Sequence, residues 1–418
     1  MPTSAEIVKR PRDLVAPVAI LIVGLVLIAV RFAETPVGSL TDDAYYVELA
    51  RSLAEGKGPV LDLGPPAPPV SPGIFPPGFP MLLAPAAFLF PYSLTALKFL
   101  PLLATLALLP VCLLLPDSSA SRTQRLALGA LVLVNPWVVA WAGRILSDNP
   151  FCLFSVGALL AYGRWRQRMS TGWLVALVVC VGLAVSLRTI GLALPAAVTT
   201  HLLLTGHWRR IPIFLAGVAL VMLPAVLLEL SVGGEILTSA YRQQILGHSP
   251  GVADRLGFAW SNLTGYVAEL PVAALPLFGN PVAALAGKLG LTRAYPAIQC
   301  AAGILLAGTV LVGLWKGWRS GSSSRRERAR FLGLYLLFYG GALLNFDGYP
   351  SGVQTRLLIP LLPVVYLLLL EAVRGLPDPT EGRVMVLGTI LILAMSLVHN
   401  GWRVANPLRS ATEASGRG

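Results

Sequence analysis

Charged residues are scarce in this chain of 418 residues, of which only 12% are Asp, Glu, Lys or Arg. A soluble domain carries roughly 25% of such residues, so the composition excludes an ordinary soluble fold. Hydrophobic residues make up 55% of the sequence, and the mean hydropathy is +0.72. The chain is therefore predicted to be an integral membrane protein that crosses the bilayer many times.

Cysteine and histidine are also rare, and neither forms a ligand pattern. The four cysteines lie within or at the edge of apolar runs and form no CxxC motif; they are Cys112, Cys152, Cys180 and Cys300. These positions indicate packing thiols rather than disulfides or thiolate metal ligands. The four histidines are scattered, without metal-ligand spacing, so no metal and no cofactor are expected.

Acidic residues are outnumbered, which gives a formal net charge of +12. The basic residues lie in short segments between apolar runs, as they do in membrane proteins. This distribution argues against a nucleic-acid partner and makes the lipid bilayer the expected surroundings.

Eleven apolar runs predict an all-α, polytopic helical protein that forms a single transmembrane domain over residues 1–418. The runs are Leu14–Val30, Leu94–Leu115, Leu126–Trp141, Phe151–Tyr162, Trp173–Ser186, Ile190–Leu204, Ile211–Leu230, Ala297–Trp315, Phe331–Leu344, Leu357–Leu370 and Val384–Val398. Phe79–Phe90 is short and flanked by prolines, which favours an interfacial or re-entrant helix. Tyr266–Gly290 contains several prolines and charges, so the number of crossings is predicted as about 11, within 11–13.

The first run is either a cleaved signal peptide or an uncleaved anchor, and the absence of a clear small-residue cleavage site favours the anchor. With the N-terminus inside, 18 of the 32 Lys and Arg residues lie in six cytoplasmic segments of about 60 residues in all. These segments are 1–13, 117–125, 164–171, 206–210, 316–330 and 374–383. The bias places residues 31–78 outside as a first extracytoplasmic loop, and 231–295 as a second large extracytoplasmic or re-entrant region.

The first outer loop begins with a predicted amphipathic helix in the stretch TDDAYYVELARSLAEGKG, Thr41–Gly58. Asp42 and Asp43 suit the positive end of a helix dipole, so capping is one interpretation of these acids. Neighbouring helix residues point about 100° apart, so the two carboxylates are expected to take different roles. The rest of the loop has eight prolines between Gly64 and Pro80, which is typical either of a linker or of a stiff wall beside a site.

Other ionisable residues lie at predicted outer helix ends, where they form structural ion pairs or serve a function. They are Arg144 and Asp148 in GRILSDNP, Arg188 in SLRTIGL, and Asp347, Tyr349 and Arg356 in NFDGYPSGVQTRLLIP. Carboxylates and arginines gathered at the outer leaflet suit an anionic lipid ligand, because arginine forks bind phosphate well.

The order of these motifs resembles that of the GT-C-type glycosyltransferases, in the bacterial branch related to protein O-mannosyltransferases and the lipid A aminoarabinose transferase. DDAYYVELARSLAEG is similar to the paired-acid motif of that family, and FPPGFP to its Pro-Pro-Gly-Tyr-Pro element. SDNPFCLF, SLRTIGL and RLLIPLLP are similar to three later elements. Asp43 and Asp148 stand where Glu is common in the family, and Arg356 is followed by Leu rather than Tyr.

The resemblance implies transfer of a sugar from a polyprenyl-phosphate-linked donor to a hydroxyl of a lipid, glycan or protein acceptor. The site would face outward from the bacterial inner (plasma) membrane. By resemblance, Asp42 is the general base and Asp43 an orienting group, although either acid remains a candidate base. Asp148 is expected to position the acceptor. The remaining substrate-binding candidates are Arg356, Arg188, Arg144 and Tyr349.

Two other functions compete with the transferase. A polyprenyl-linked sugar or lipid transporter (flippase) would use the same residues along a translocation path. Transporters often show internal repeats and broken helices near the midplane. The sequence has no visible repeat and its acids cluster at one predicted surface, which favours the enzyme. A non-catalytic assembly scaffold is the third alternative.

Overall fold

The protein is described by a computed structural model over residues 12–32, 37–38, 42–61, 75–231, 252–278, 280–346, 353–376 and 380–405. Within these residues the chain is helical and contains no β-strand, which confirms the all-α prediction. The first eight helices are α1 Arg12–Arg31, α2 Asp42–Ala54, α3 Gly78–Leu89, α4 Leu94–Leu114, α5 Arg122–Leu133, α6 Pro136–Ala142, α7 Asp148–Arg168 and α8 Thr171–Leu187. The next eight are α9 Ala193–Leu204, α10 Ile211–Ser231, α11 Val252–Ala274, α12 Asn280–Lys288, α13 Tyr295–Trp318, α14 Ser323–Leu344, α15 Leu362–Val373 and α16 Thr380–Ala405.

Each of the eleven predicted apolar runs lies on a helix or a helix pair, and the chain is a multi-pass membrane protein. By length and composition, six helical segments in the described residues can cross a membrane, or seven if α5 and α6 form one bent span. Three further apolar helices are shorter, at Gly78–Leu89, Thr171–Leu187 and Thr189–Leu204. The count of about eleven crossings therefore stays a prediction.

The predicted run Leu126–Trp141 is not one straight helix, because α5 and α6 meet at a bend of 56°. Proline disfavours helical geometry in the residue before it, and Pro136 follows Asn135 at this break. The Asn135 side chain accepts a hydrogen bond from the Trp137 amide at 2.9 Å and so caps α6. Its amide nitrogen donates to the carbonyl oxygen of Ala273 at 2.8 Å, which ties the bend to the end of α11.

Helix α7 passes through the centre of the protein, and its large side chains Tyr162 and Trp165 are among the most completely buried. Helices α1, α10, α13 and α16 instead expose large apolar side chains. The exposed fraction reaches 68% at Leu220 and 73% at Leu305. Surfaces of this kind match the hydrocarbon of a bilayer, so these helices are expected to face lipid.

Helix α13 makes two close backbone contacts through glycines ten residues apart. A Cβ atom at Gly303 would come within 3.0 Å of the carbonyl oxygen of Val267 on α11. A Cβ atom at Gly313 would come equally close to the carbonyl oxygen of Leu368 on α15. Small residues let membrane helices approach in this way, so glycine is needed at both crossings.

A charged cluster lies where the α4–α5 loop meets α14 and α15. Arg325 and Arg328 donate to the two carboxylate oxygens of Glu371 at 2.6 and 2.7 Å. Arg328 and Arg374 also lie 3.5 Å from the carboxylate of Asp117 in the loop. Burial alone would raise the pKa of Asp117, but these guanidiniums and a hydrogen bond from Ser119 lower it below its ordinary value. Apart from Glu371, which directly follows the predicted run Leu357–Leu370, these residues belong to segments predicted to be cytoplasmic.

Candidate active site

The paired acids lie at the start of α2, as the sequence predicts. The apolar stripe of this helix is buried at Tyr46, Leu49 and Ala50. Tyr46 stacks edge-on against Phe79 of α3, with 4.8 Å between ring centroids. After the helix ends at Ala54, Gly56 and Gly58 adopt positive φ angles and reverse the chain. Packing of the stripe on α3 therefore fixes the direction in which the first turn presents its acids.

Asp42 forms an ion pair with Arg356, which lies 314 residues later in the chain. Nη1 of Arg356 donates to Oδ2 of Asp42 at 2.6 Å, and both side chains are about one quarter exposed. Nε of the same arginine donates to Oε1 of Gln354 at 2.6 Å. The guanidinium is thus oriented on two edges while its pair with Asp42 remains accessible from outside.

Asp43 takes different partners from its neighbour. Its Oδ1 atom accepts hydrogen bonds from the amides of Gly38, at 3.0 Å, and Ala44, at 2.9 Å, and the residue is only 3% exposed. The charges of Asp43 and Arg144 both act on Lys98, whose Nζ donates to the carbonyl oxygen of Phe32 at 3.3 Å. Asp43 therefore holds the start of α2 and lies beside two cations, whereas Asp42 faces Arg356.

A second ion pair joins the start of α7 to the end of α8. Arg188 donates through Nη1 to Oδ1 of Asp148, and Asp148 is almost completely buried. Ser147, just before α7, forms a hydrogen bond with the hydroxyl of Tyr46 at 3.3 Å. This contact connects α2 directly to the helix start that carries Asp148.

The segment that carries Arg356 is held by α11. The hydroxyl of Thr355 donates to Oε2 of Glu269. Tyr266, on the same helix, hydrogen-bonds the backbone of Gln354. It also interacts electrostatically with the positive charges of Arg188 and Arg356. Helix α11 is not among the helices long and apolar enough to cross a membrane. Burial raises the pKa of Tyr266 to about 12, against the opposing effect of this hydrogen bond and the two arginines.

The structure brings most of the predicted site residues into one network. Asp42, Asp43, Asp148, Arg188 and Arg356 are linked by the contacts above. Arg144 is buried, with its guanidinium 4.6 Å from the centroid of the Trp141 ring. Tyr349 and Asp347 lie outside the described residues, as do residues 62–74 of the proline-rich stretch, so the predictions on them stay predictions.

Four further residues belong to this network and were not predicted as site residues: Lys98, Tyr266, Glu269 and Gln354. Lys98 could have been found from sequence, because it is the only charged residue in the apolar stretch Leu94–Leu114. Glu269 also lies between apolar residues. Gln354 has no such signal, because a single amide near a helix end is common.

The network holds equal numbers of opposite charges. Its four acids are Asp42, Asp43, Asp148 and Glu269, and its four cations are Lys98, Arg144, Arg188 and Arg356. Carboxylates can accept a proton, and arginine forks can bind phosphate oxygens. Within the described residues, no three His, Cys, Asp or Glu side chains are grouped as metal ligands. The arrangement combines groups for proton abstraction with groups for an anionic ligand.

Solved structures of membrane enzymes are similar to this chain in fold. ArnT from Cupriavidus metallidurans bound to undecaprenyl phosphate matches with a TM-score of 0.60 and 16% identity, over 95% of this chain and 69% of that one. Its apo form matches with a TM-score of 0.57 and 14% identity, over 96% and 77%. The archaeal oligosaccharyltransferase AglB from Archaeoglobus fulgidus, in complex with an inhibitory peptide and a dolichol-phosphate, matches with 0.57 and 14%, over 98% and 57%. No protein-family model matches the sequence, and no curated protein matches it significantly.

Proposed function

Starting from this GT-C-type fold, we propose that the protein is a membrane glycosyltransferase. It moves a sugar from a polyprenyl-phosphate-linked donor to a hydroxyl of a lipid, glycan or protein acceptor. The contact between Asp42 and Arg356 carries the proposal, because it joins a base and a phosphate-binding group from distant parts of the chain. ArnT and AglB support the donor class, since their structures hold undecaprenyl phosphate and a dolichol-phosphate.

The proposed reaction is a single displacement with inversion. An acceptor hydroxyl is a very weak acid and a poor nucleophile, so it needs a positioned base. Its oxygen attacks the anomeric carbon while Asp42 takes the proton. The bond between that carbon and the phosphate oxygen breaks, and its electron pair leaves with the polyprenyl phosphate. The leaving group is already stable as an anion, so it needs cations more than a proton.

Binding of the donor to Arg356 frees Asp42, the proposed base, from its ion pair with this arginine. Without donor, the charge of Arg356 is balanced by Asp42 at 2.6 Å. A donor phosphate on the same guanidinium supplies a new counter-ion and leaves the carboxylate available to the acceptor. Arg188 and Arg144 are the next candidate phosphate ligands. Asp148 orients Arg188 and the acceptor.

Asp43 has a positioning role in this scheme. Its carboxylate is occupied by two backbone amides, so it holds the first turn of α2 and, through that turn, Asp42. The site faces the outside of a bacterial plasma membrane, with the N-terminus in the cytoplasm.

A transfer assay with matched acid-to-amide variants tests the proposal. Purified protein is given radiolabelled polyprenyl-phosphate sugars and membrane extract, with Asp42→Asn beside Glu48→Gln, an acid on the same helix. Loss of a general base should lower the rate by about 100- to 10,000-fold in Asp42→Asn. Glu48→Gln should retain activity, and donor binding should survive in both variants.

Replacement of the arginine separates charge from shape. Arg356→Lys keeps the charge but loses the fork, so it should raise the donor KM. Arg356→Gln should raise the donor KM further.

Equal transfer by wild type and Asp42→Asn would remove Asp42 as the base. Absence of transfer with every donor, together with lipid movement in vesicles, would favour the transporter.

A further inference from the structure

A cleft of about 660 Å³, including open solvent, lies at the far end of α7 from the candidate active site. Helix α7 begins at Asp148 and reaches Arg166 and Arg168 in its last turn. At 1.5 Å per residue, the two ends are about 30 Å apart. The cleft lies between α7, α9 and α14 and is separate from the Asp42 network.

Two guanidinium nitrogen atoms of residues that line this cleft have no hydrogen-bond partner among the described residues. They are Nε of Arg166 and Nη1 of Arg328, and both are buried. The Arg166 side chain as a whole is only 9% exposed. A buried donor without a partner costs free energy unless water or a ligand satisfies it.

The ring of His201 has partners on two helices. Its Nδ1 atom lies 2.6 Å from the hydroxyl of Tyr162 on α7, and the ring also hydrogen-bonds the backbone of Glu327 on α14. His201 therefore helps to form the wall of the cleft. Arg328 is held through Nη2 by Glu371 at 2.7 Å, which leaves Nη1 available.

The charges around the cleft favour an anion. Arg164, Arg166 and Arg328 line it, against the two acids Asp117 and Glu327. Asp117 lies within 4 Å of three arginines. Glu327 meets Arg166 only at 3.5 Å and is 41% exposed on its side chain. The acids therefore leave positive charge uncompensated.

Guanidinium donors from α7 and α14 suit a tetrahedral group with several acceptor oxygens, because arginine forks match phosphate. The inner wall of the cleft is apolar, with Leu159, Phe331 and Leu367. Basic pockets between membrane helices on the cytoplasmic side bind phosphate headgroups in other proteins. We propose that this cleft is a phosphate-binding site for an anionic membrane lipid or a soluble phosphate ester.

Binding of defined probes to the full chain in a neutral detergent tests this site. The probes are phosphatidylglycerol, zwitterionic phosphatidylcholine and inorganic phosphate, and native mass spectrometry and ligand-dependent thermal shifts give Kd. Arg166→Gln should weaken binding of the anionic probe about tenfold, because it removes a charged donor. Arg168→Gln is the matched control, since two residues further along the helix point about 200° away, and it should change Kd less than twofold.

Glu327→Gln should change Kd in the opposite direction. It removes the carboxylate that competes for Arg166, so it should tighten binding of the anionic probe severalfold. If the ion pair of Glu327 and Arg166 is purely structural, Kd should not change. This variant keeps the test decisive if Arg166→Gln fails to fold. If the variants change Kd only for phosphatidylglycerol, the ligand is a lipid headgroup. If they change Kd only for inorganic phosphate, the ligand is a soluble ester. Equal affinity of all variants for both anionic probes, or no binding of either, would overturn the proposal.

Discussion

Replacement of Gly303 by alanine should separate α13 from α11. The added Cβ would lie within 3.0 Å of the Val267 carbonyl oxygen, and a backbone atom cannot rotate aside as a flexible side chain would. Overpacking of this kind costs about 1–3 kcal/mol. The higher helix propensity of alanine offsets up to about 1 kcal/mol. We expect a net loss in the free energy of unfolding of about 1–2 kcal/mol.

A shift of α11 away from α13 should also disturb the candidate active site. Val267 lies on α11 between Tyr266 and Glu269, which hold Gln354 and Thr355 beside Arg356. A shift on the order of 1 Å in a catalytic group can lower a rate about 100-fold. Gly303→Ala should therefore lose transferase activity beyond what its loss of stability explains.

Two other glycines of α13 provide matched controls. Gly308 has no atom within 4 Å of its added Cβ, so Gly308→Ala should keep wild-type stability and activity. Gly313→Ala should lose stability by the same overpacking against Leu368, but about 15 Å further along the helix, and keep most of its activity. Thermal unfolding in detergent and the transfer assay measure both quantities. A stable, active Gly303→Ala variant, or a Gly313→Ala variant that is equally inactive, would refute the reasoning.

Three further predictions concern charge and sidedness. Asp148→Asn leaves Arg188 without its carboxylate in a nearly buried pair, and should cost about 3–5 kcal/mol in the free energy of unfolding; an unchanged unfolding midpoint would contradict this. The lowered pKa of Asp117 means that its carboxylate stabilises the fold above the ordinary pKa of 3.8 and loses this effect as pH falls through the lowered value. The stability advantage of wild type over Asp117→Asn, roughly 1–3 kcal/mol at pH 7, should disappear as the pH falls below about 4. Cysteines placed at the exposed Glu55 and Ser323 should react from opposite membrane faces; labelling from one face would refute the predicted topology.

Helix positions follow closely from the sequence, because an apolar run of sufficient length has few alternatives to a helix in lipid. The ends of the helices follow less well. The run at Phe151–Tyr162 continues as a helix to Arg168, since backbone hydrogen bonds do not require apolar side chains. The bend at Asn135 had a local signal in Pro136, but its angle depends on the tie to Ala273 in another helix.

The candidate active site can be predicted only in part from the sequence. Predicted sidedness gathers Asp42, Arg188 and Arg356 at one end of the molecule, but it does not say which acid meets which arginine. That pairing depends on how α2 packs on α3 and where α11 holds the Arg356 segment. Both are long-range contacts, and periodicity along the chain carries no information about them. Lys98 is different, because a single lysine in an apolar run is itself a signal.

The separation of Asp42 and Arg356 along the chain has a consequence for biosynthesis. At about 5–20 residues per second, a ribosome needs roughly 15–60 s to extend the chain from one residue to the other. During this interval Asp42, the first acid of α2, lacks the arginine partner of the finished protein. The Asp42–Arg356 ion pair therefore forms late in insertion. Incomplete chains released before residue 356 would stay in the membrane as inactive products.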